Sequence, residues 1–220
     1  MRDVLCQLAR NRRIKVCIVS GRRLEDVKER VGVSGIIYVG NHGFEVDGIK
    51  CDIPGLDKRR AKYLVGEVCR KLSERLNGVE GVLVEDKGLT ASVHYRQVSE
   101  DQIDRIKGEV VDILSLYTDL KLTEGRKVLE IQPAVGWGKG KVVDFIFRKL
   151  CEAWPGERTL AVYAGDDKAD EEVFEVLGDR GVTILVSDKK VDTRARFRVK
   201  SVLEIEHMLR SIGTRFPPRG

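Results

Sequence analysis

The 220-residue sequence predicts an α/β fold: a Rossmann-like parallel-sheet core with an inserted α+β cap domain. Three observations carry this. Short apolar runs alternate with amphipathic helical stripes at both ends of the chain. The alternation is interrupted between about 52 and 128, where the order becomes helix, hairpin, helix, strand. The run Leu160-Ala161-Val162-Tyr163-Ala164 has no polar alternation, which fits a strand buried on both faces.

Taken in order, Val16-Cys17-Ile18-Val19 is a strand closed by Ser20-Gly21, and 22–31 is a helix with Leu24, Val27 and Val31 on one face. Ile36-Ile37-Tyr38-Val39 is a second strand, ending at Gly40-Asn41-His42-Gly43. Phe44 to Ile53 is expected to be a hairpin, since Asp47-Gly48 is a type I′ turn signal. Residues 58–76 carry an apolar stripe through Ala61, Leu64, Val65, Val68, Cys69, Leu72 and Leu76. Two strands about Lys87-Gly88 fill 82–96, a helix fills 100–117, and a strand at 128–132 is stopped by Pro133. The alternation then resumes with helix 139–151, strand 159–164, helix 170–177, strand 182–186 and helix 201–211; the tail from Phe216 is expected to fray. The core is thus assigned to 1–51 and 129–220 and the inserted cap to 52–128.

Composition narrows the function. Apolar residues are 42% and charged residues 34%, as in a water-soluble globular domain, and no segment approaches the ~18 apolar residues of a membrane span. Cys6, Cys17, Cys51, Cys69 and Cys151 are odd in number and form no C-x-x-C pair, so reduced thiols in the cytoplasm are expected. The net charge of +5 leaves a nucleic-acid-binding module as a distant alternative, but 40 Lys+Arg are interleaved with 35 Asp+Glu and aromatics are 6%. No nucleic-acid or membrane partner is therefore expected.

Four constellations carry chemistry. Gly165 opens into Asp166, Asp167, Asp170, Glu171 and Glu172, carboxylates at the carboxyl end of a buried strand, where open α/β sheets place ligands. Three Asp in five residues repel one another unless a cation holds them, and hard oxygen ligands suit Mg²⁺. An acidic first turn for the following helix is the plain alternative. Ser20-Gly21-Arg22 places a hydroxyl and fresh helix N–H groups after a strand, as an anion site does, although Ser-Gly is also an ordinary turn. Lys139, within Gly136-Trp137-Gly138-Lys139-Gly140-Lys141, opens a helix where a cation is unfavourable; a bound phosphate would explain it, as would a solvated Gly-rich connection. Finally, Thr90, Ser92, His94 and Arg96 alternate with Leu89, Ala91, Val93 and Tyr95, giving one polar face suited to a polyol or simply to water.

The ordered set SGRR (20–23), GNHGFE (40–45), VEDKGLTASVHYR (84–96), VLEIQP (128–133), GWGKGK (136–141) and GDDKADEEVF (165–174) resembles the trehalose-6-phosphate phosphatases, haloacid-dehalogenase-like enzymes with an inserted α/β cap. The resemblance implies an Mg²⁺-dependent hydrolase of a small-molecule sugar phosphate, expected to be monomeric. It implies that Ser20 binds the transferring phosphoryl group, Lys139 neutralises it, and Asp166 and Asp170 form or support the metal shell. It further implies that Arg22, Asn41, His42, Lys87, His94, Arg96 and Glu130 contact the sugar phosphate.

One departure is large. The family's first motif, D-x-D-G-T, supplies the nucleophilic and general-acid Asp, and no D-x-D occurs in these 220 residues. That motif lies on the central strand of the sheet, between the strands at 16–19 and 160–164. The expectation is therefore a phosphatase truncated at its N-terminus and inactive as it stands, or a degenerate homologue that binds a sugar phosphate without hydrolysing it.

Overall fold

The computed structural model describes residues 1–156 and 158–216; the expectation for 217–220 lies outside them. Two compact units form, Met1–Cys51 together with the chain from Gly138 onward, and Asp52–Trp137. The fold is α/β, with parallel strands in the first unit and an α+β second unit.

The first unit opens with α1 (Arg2–Ala9), then β1 (Cys17–Val19), α2 (Leu24–Val31), β2 (Ile37–Gly40) and β3 (Glu45–Asp47). β1 and β2 are parallel, with Ile18 opposite Tyr38, and β3 returns antiparallel along β2, with Val46 opposite Val39. The hairpin expected within 44–53 is therefore made differently. Asn41 and His42, both left-handed, turn the chain so that Glu45–Asp47 pairs backwards onto β2. Leu5, Val27, Val33, Ile36 and Tyr38 fill the core beneath, and the Tyr38 hydroxyl both donates to the Val33 carbonyl and accepts from its N–H.

After the second unit, α5 (Lys139–Ala153) leads to β8 (Ala161–Gly165), α6 (Glu171–Leu177), β9 (Gly181–Val186), β10 (Phe197–Val199) and α7 (Val202–Arg215). These three strands are parallel in the order β10-β9-β8. Val142, Ile146, Val173, Phe174 and Leu177 are buried along α5 and α6. β1 ends one sheet and β8 ends the other, and no ladder joins them among the described residues. Both strands thus carry an open edge. Leu160 and Val162, apolar residues of the buried-type run, are 64% and 41% exposed.

The second unit is a four-stranded antiparallel sheet covered on one face by two helices. Asp57 caps α3 (Lys58–Arg75) by accepting from the N–H of Arg59 and Arg60 at 2.9 and 3.0 Å. Then come β4 (Leu83–Asp86), β5 (Ala91–His94), α4 (Glu100–Leu114), β6 (Leu120–Gly125) and β7 (Val128–Pro133), in sheet order β4-β5-β7-β6. Val65, Val68 and Leu72 of α3 and Ile106 and Val110 of α4 bury against Ala91, Val93, Leu129 and Ile131. Each fully buried aliphatic side chain contributes about 1.5–3 kcal/mol. β6 is an element the sequence reading did not place. Because β7 pairs with β5 and β6, residues 129–137 lie in this unit and not with the core segment to which the sequence boundary assigned them.

Candidate active site

The first unit gathers its polar motif residues at the carboxyl ends of β1, β2 and β8. Backbone bonds stitch the first two loops together: Ser20 N–H donates to the Val39 carbonyl at 2.9 Å, His42 N–H to the Ser20 carbonyl at 3.0 Å, and Asn41 N–H to the Arg22 carbonyl at 2.6 Å. Ser20 Oγ accepts from the Arg22 N–H at 3.1 Å, so its own proton remains available to a ligand. A Cβ added to Gly21 would lie 2.5 Å from the His42 ring, so glycine is what lets the imidazole lie over this turn.

Glu45, quoted in the GNHGFE motif but given no role there, organises this side. Its Oε2 accepts from the Leu24 N–H at 3.1 Å and from Asn41 Nδ2 at 3.2 Å. A carboxylate thereby sits at the N-terminus of α2, where the helix dipole favours it, and also holds Asn41. Replacing Glu45 by Ala should cost about 1–2 kcal/mol locally. Amide exchange at Leu24 should accelerate roughly 5- to 30-fold, since local opening sets the protection. Unchanged exchange there would show that the cap is not formed in solution.

The other side is built on β8 and α5. Asp170 is 3% exposed and receives four donors. Oδ1 accepts from Lys139 Nζ at 2.9 Å and the Tyr163 hydroxyl at 2.7 Å; Oδ2 accepts from the N–H of Asp166 and of Asp167, each at 3.0 Å. Burial alone would raise the Asp170 pKa, but the Lys139 charge and these hydrogen bonds hold it below the usual carboxylate value. Burial, then the neighbouring Asp170 charge, pushes the Tyr163 hydroxyl far up, so it stays protonated and donates. A Cβ on Gly165 would fall 2.5 Å from the Asp170 carboxylate, which is why the strand ends in glycine.

Lys139 is 7% exposed, yet Asp170 is the one acceptor its ammonium meets among the described residues. Asp166 is exposed, and its carboxylate has no hydrogen-bond partner among them. No group of three or more His, Cys, Asp or Glu converges on a common metal position among them. The segment Asn41–Gly43 contacts α5 beside Lys139: a Cβ on Gly43 would lie 3.0 Å from the Gly138 carbonyl oxygen. Ser20, Arg22, Asn41, His42, Lys139, Asp166 and Asp170 are thus arranged on one end of the first unit.

In the second unit Lys87, 4% exposed, donates to Glu130 Oε2 at 3.1 Å, and Ser92 Oγ donates to the same oxygen at 2.7 Å. His94 Nε2 lies 2.8 Å from Glu85 Oε2. Ser92, His94, Glu85 and Glu130 share the sheet face opposite the helices, as the register requires. Arg96 does not continue that strand; β5 ends at His94, and Arg96 is exposed in the turn that follows.

A model of the trehalose-phosphatase family matches residues 1–202. The chain belongs to the trehalose-phosphatase family. It is 37% identical over 201 residues to a probable trehalose-phosphate phosphatase 4 of Oryza sativa subsp. japonica, an alignment spanning 89% of this chain and 54% of that protein. It is 33% identical over 220 residues to trehalose-phosphate phosphatase B of Arabidopsis thaliana, spanning 95% of this chain and 58% of that one. The chain therefore spans little more than half the length of these relatives. In three dimensions it resembles a trehalose-6-phosphate phosphatase related protein, with a TM-score of 0.77 and 20% identity over 97% of this chain and 86% of that one. It also resembles the C-terminal domain of the C. albicans trehalose-6-phosphate phosphatase, with a TM-score of 0.73 and 18% identity over 96% and 82% of the respective chains. At these identities the two structures bear on the fold alone.

Proposed function

We propose that this chain holds the phosphate- and metal-binding parts of an Mg²⁺-dependent phosphatase acting on trehalose 6-phosphate, and that the attacking carboxylate is not among its 220 residues. The observation that carries the reading is Lys139, a buried ammonium with two N–H groups left over, at the amino end of α5. A buried cation with spare donors is stable where an anion completes it. The Ser20 hydroxyl donates to the same phosphoryl group, and the hydrogen bond to Asp170 keeps Lys139 aimed. In this reading Arg22, Asn41 and His42 are the sugar-phosphate contacts offered by the first unit, and the second unit, taken by itself, offers Lys87, His94, Arg96 and Glu130. A polar face of alternating donors and acceptors suits a ligand made of hydroxyls.

The residues present fit Mg²⁺ in type, with Asp166 as the available carboxylate and Asp170, its lone pairs filled, as support. The ion, when bound, neutralises charge on the phosphoryl oxygens. A single carboxylate implies weak binding. Titration calorimetry should show Mg²⁺ binding by the parent chain and less by Asp166→Asn; equal binding by both removes the metal assignment. The absence of D-x-D favours a second reading, a non-catalytic sugar-phosphate binder, which shares these sites and differs in never turning over. A monomeric, cytoplasmic protein belongs to the same proposal, in keeping with five free thiols. No helix among the described residues is long and apolar enough to cross a membrane.

A further inference from the structure

We propose that Tyr163 is a positioning residue for this anion site: its hydroxyl fills the Asp170 lone pair toward which the Lys139 ammonium would otherwise swing, and so keeps the two remaining ammonium N–H groups aimed at a phosphoryl group. The inference rests on the reading of Lys139 given above. A carboxylate offers about four lone-pair positions. Here Oδ2 is filled by two backbone N–H groups and Oδ1 by one hydroxyl and one ammonium. Removing the hydroxyl leaves one acceptor position open on a group that is 3% exposed. A buried unmet acceptor is costly, and the adjacent donor with spare capacity is Lys139 Nζ. With that position open, the ammonium is free to swing across Oδ1 toward it, and its two remaining N–H groups then no longer aim at the ligand.

The ring itself is held independently. Tyr163 packs edge-on against Phe174, with centroids 5.9 Å apart and planes at 74°. Tyr163→Phe therefore removes the donor and keeps the packing.

The test is a titration with inorganic phosphate at low protein concentration, followed by thermal-shift fluorimetry, on the parent, Tyr163→Phe, Lys139→Met and a chain with 4-aminophenylalanine at 163. One hydrogen bond is worth a factor of about three to ten. Tyr163→Phe should bind phosphate about three- to tenfold more weakly than the parent while its Mg²⁺ affinity stays the same. The 4-amino group restores a donor and should recover phosphate binding. If Lys139→Met weakens phosphate and Tyr163→Phe does not, the role of Tyr163 is wrong and the anion site stands. A loss in Tyr163→Phe that the 4-amino group fails to recover also refutes it, since ring packing would then be the cause. If Lys139→Met binds as well as the parent, the anion-site reading fails and this inference with it.

Discussion

Incubated with Mg²⁺ and trehalose 6-phosphate, the 220-residue chain is expected to release no phosphate above background, and to self-associate as its concentration rises. The chemical half of the expectation follows from the missing D-x-D. A carboxylate nucleophile divides phosphoester hydrolysis into two easier steps, and neither Lys139 nor a metal substitutes for the attacking oxygen. The physical half follows from the open edges of β1 and β8. Unpaired strand edges recruit other chains, and exposed Leu160 and Val162 add apolar surface to one of them. If about eight ladder bonds are unmade, at ~0.5–1.5 kcal/mol each, roughly 4–12 kcal/mol is forgone. That is comparable with the ~5–15 kcal/mol stability of a whole domain. Supplying an apolar strand that carries D-x-D-G-T, as a peptide or a fusion, should restore both solubility and Mg²⁺-dependent phosphate release. Robust turnover by the chain alone would refute the proposal, because the nucleophile would then be a residue not named above. Recovery of solubility without turnover would favour the non-catalytic reading.

Replacing Asp170 by Ala is expected to destabilise the first unit by about 3–5 kcal/mol. The substitution leaves Lys139 buried without its counter-charge and strands the Tyr163 hydroxyl and two N–H groups. A urea midpoint for Asp170→Ala within error of the parent would contradict it. The same carboxylate sets an acid limit. Its folded pKa lies below the usual 3.8, so its contribution is complete above that value and is lost as pH falls through the lower, folded pKa. Parent stability should therefore decline below about pH 4, and Asp170→Ala should lack that part of the decline.

The alternation of apolar runs and helical stripes was readable because buried strands and amphipathic helices leave different periods. The elements that escaped did so for physical reasons. β6 alternates Leu120 and Leu122 with Lys121 and Thr123, but only two apolar residues mark it, and its turn uses Lys127 in the left-handed region in place of Gly or Asn. β10 has Phe197 exposed and exists through pairing with β9, a tertiary cause with no local pattern. Asp47-Gly48 promised a forward hairpin, and the left-handed pair Asn41-His42 produced a backward one. At the site, motif residues were visible as motifs, whereas Glu45 and Tyr163 were not singled out. Tyr163 did carry a signal: a lone hydroxyl in an apolar run needs a buried partner.

The division of the chain also orders its assembly. The second unit is made of one continuous stretch, Asp52–Trp137, in which β4 and β5, and β6 and β7, are sequence neighbours that pair directly. Such local pairing closes quickly, while the first unit must wait for segments on either side of that stretch to meet. During synthesis the second unit is complete once Trp137 has left the ribosome, whereas α1 stays without its α7 partner until residues 202–215 have followed.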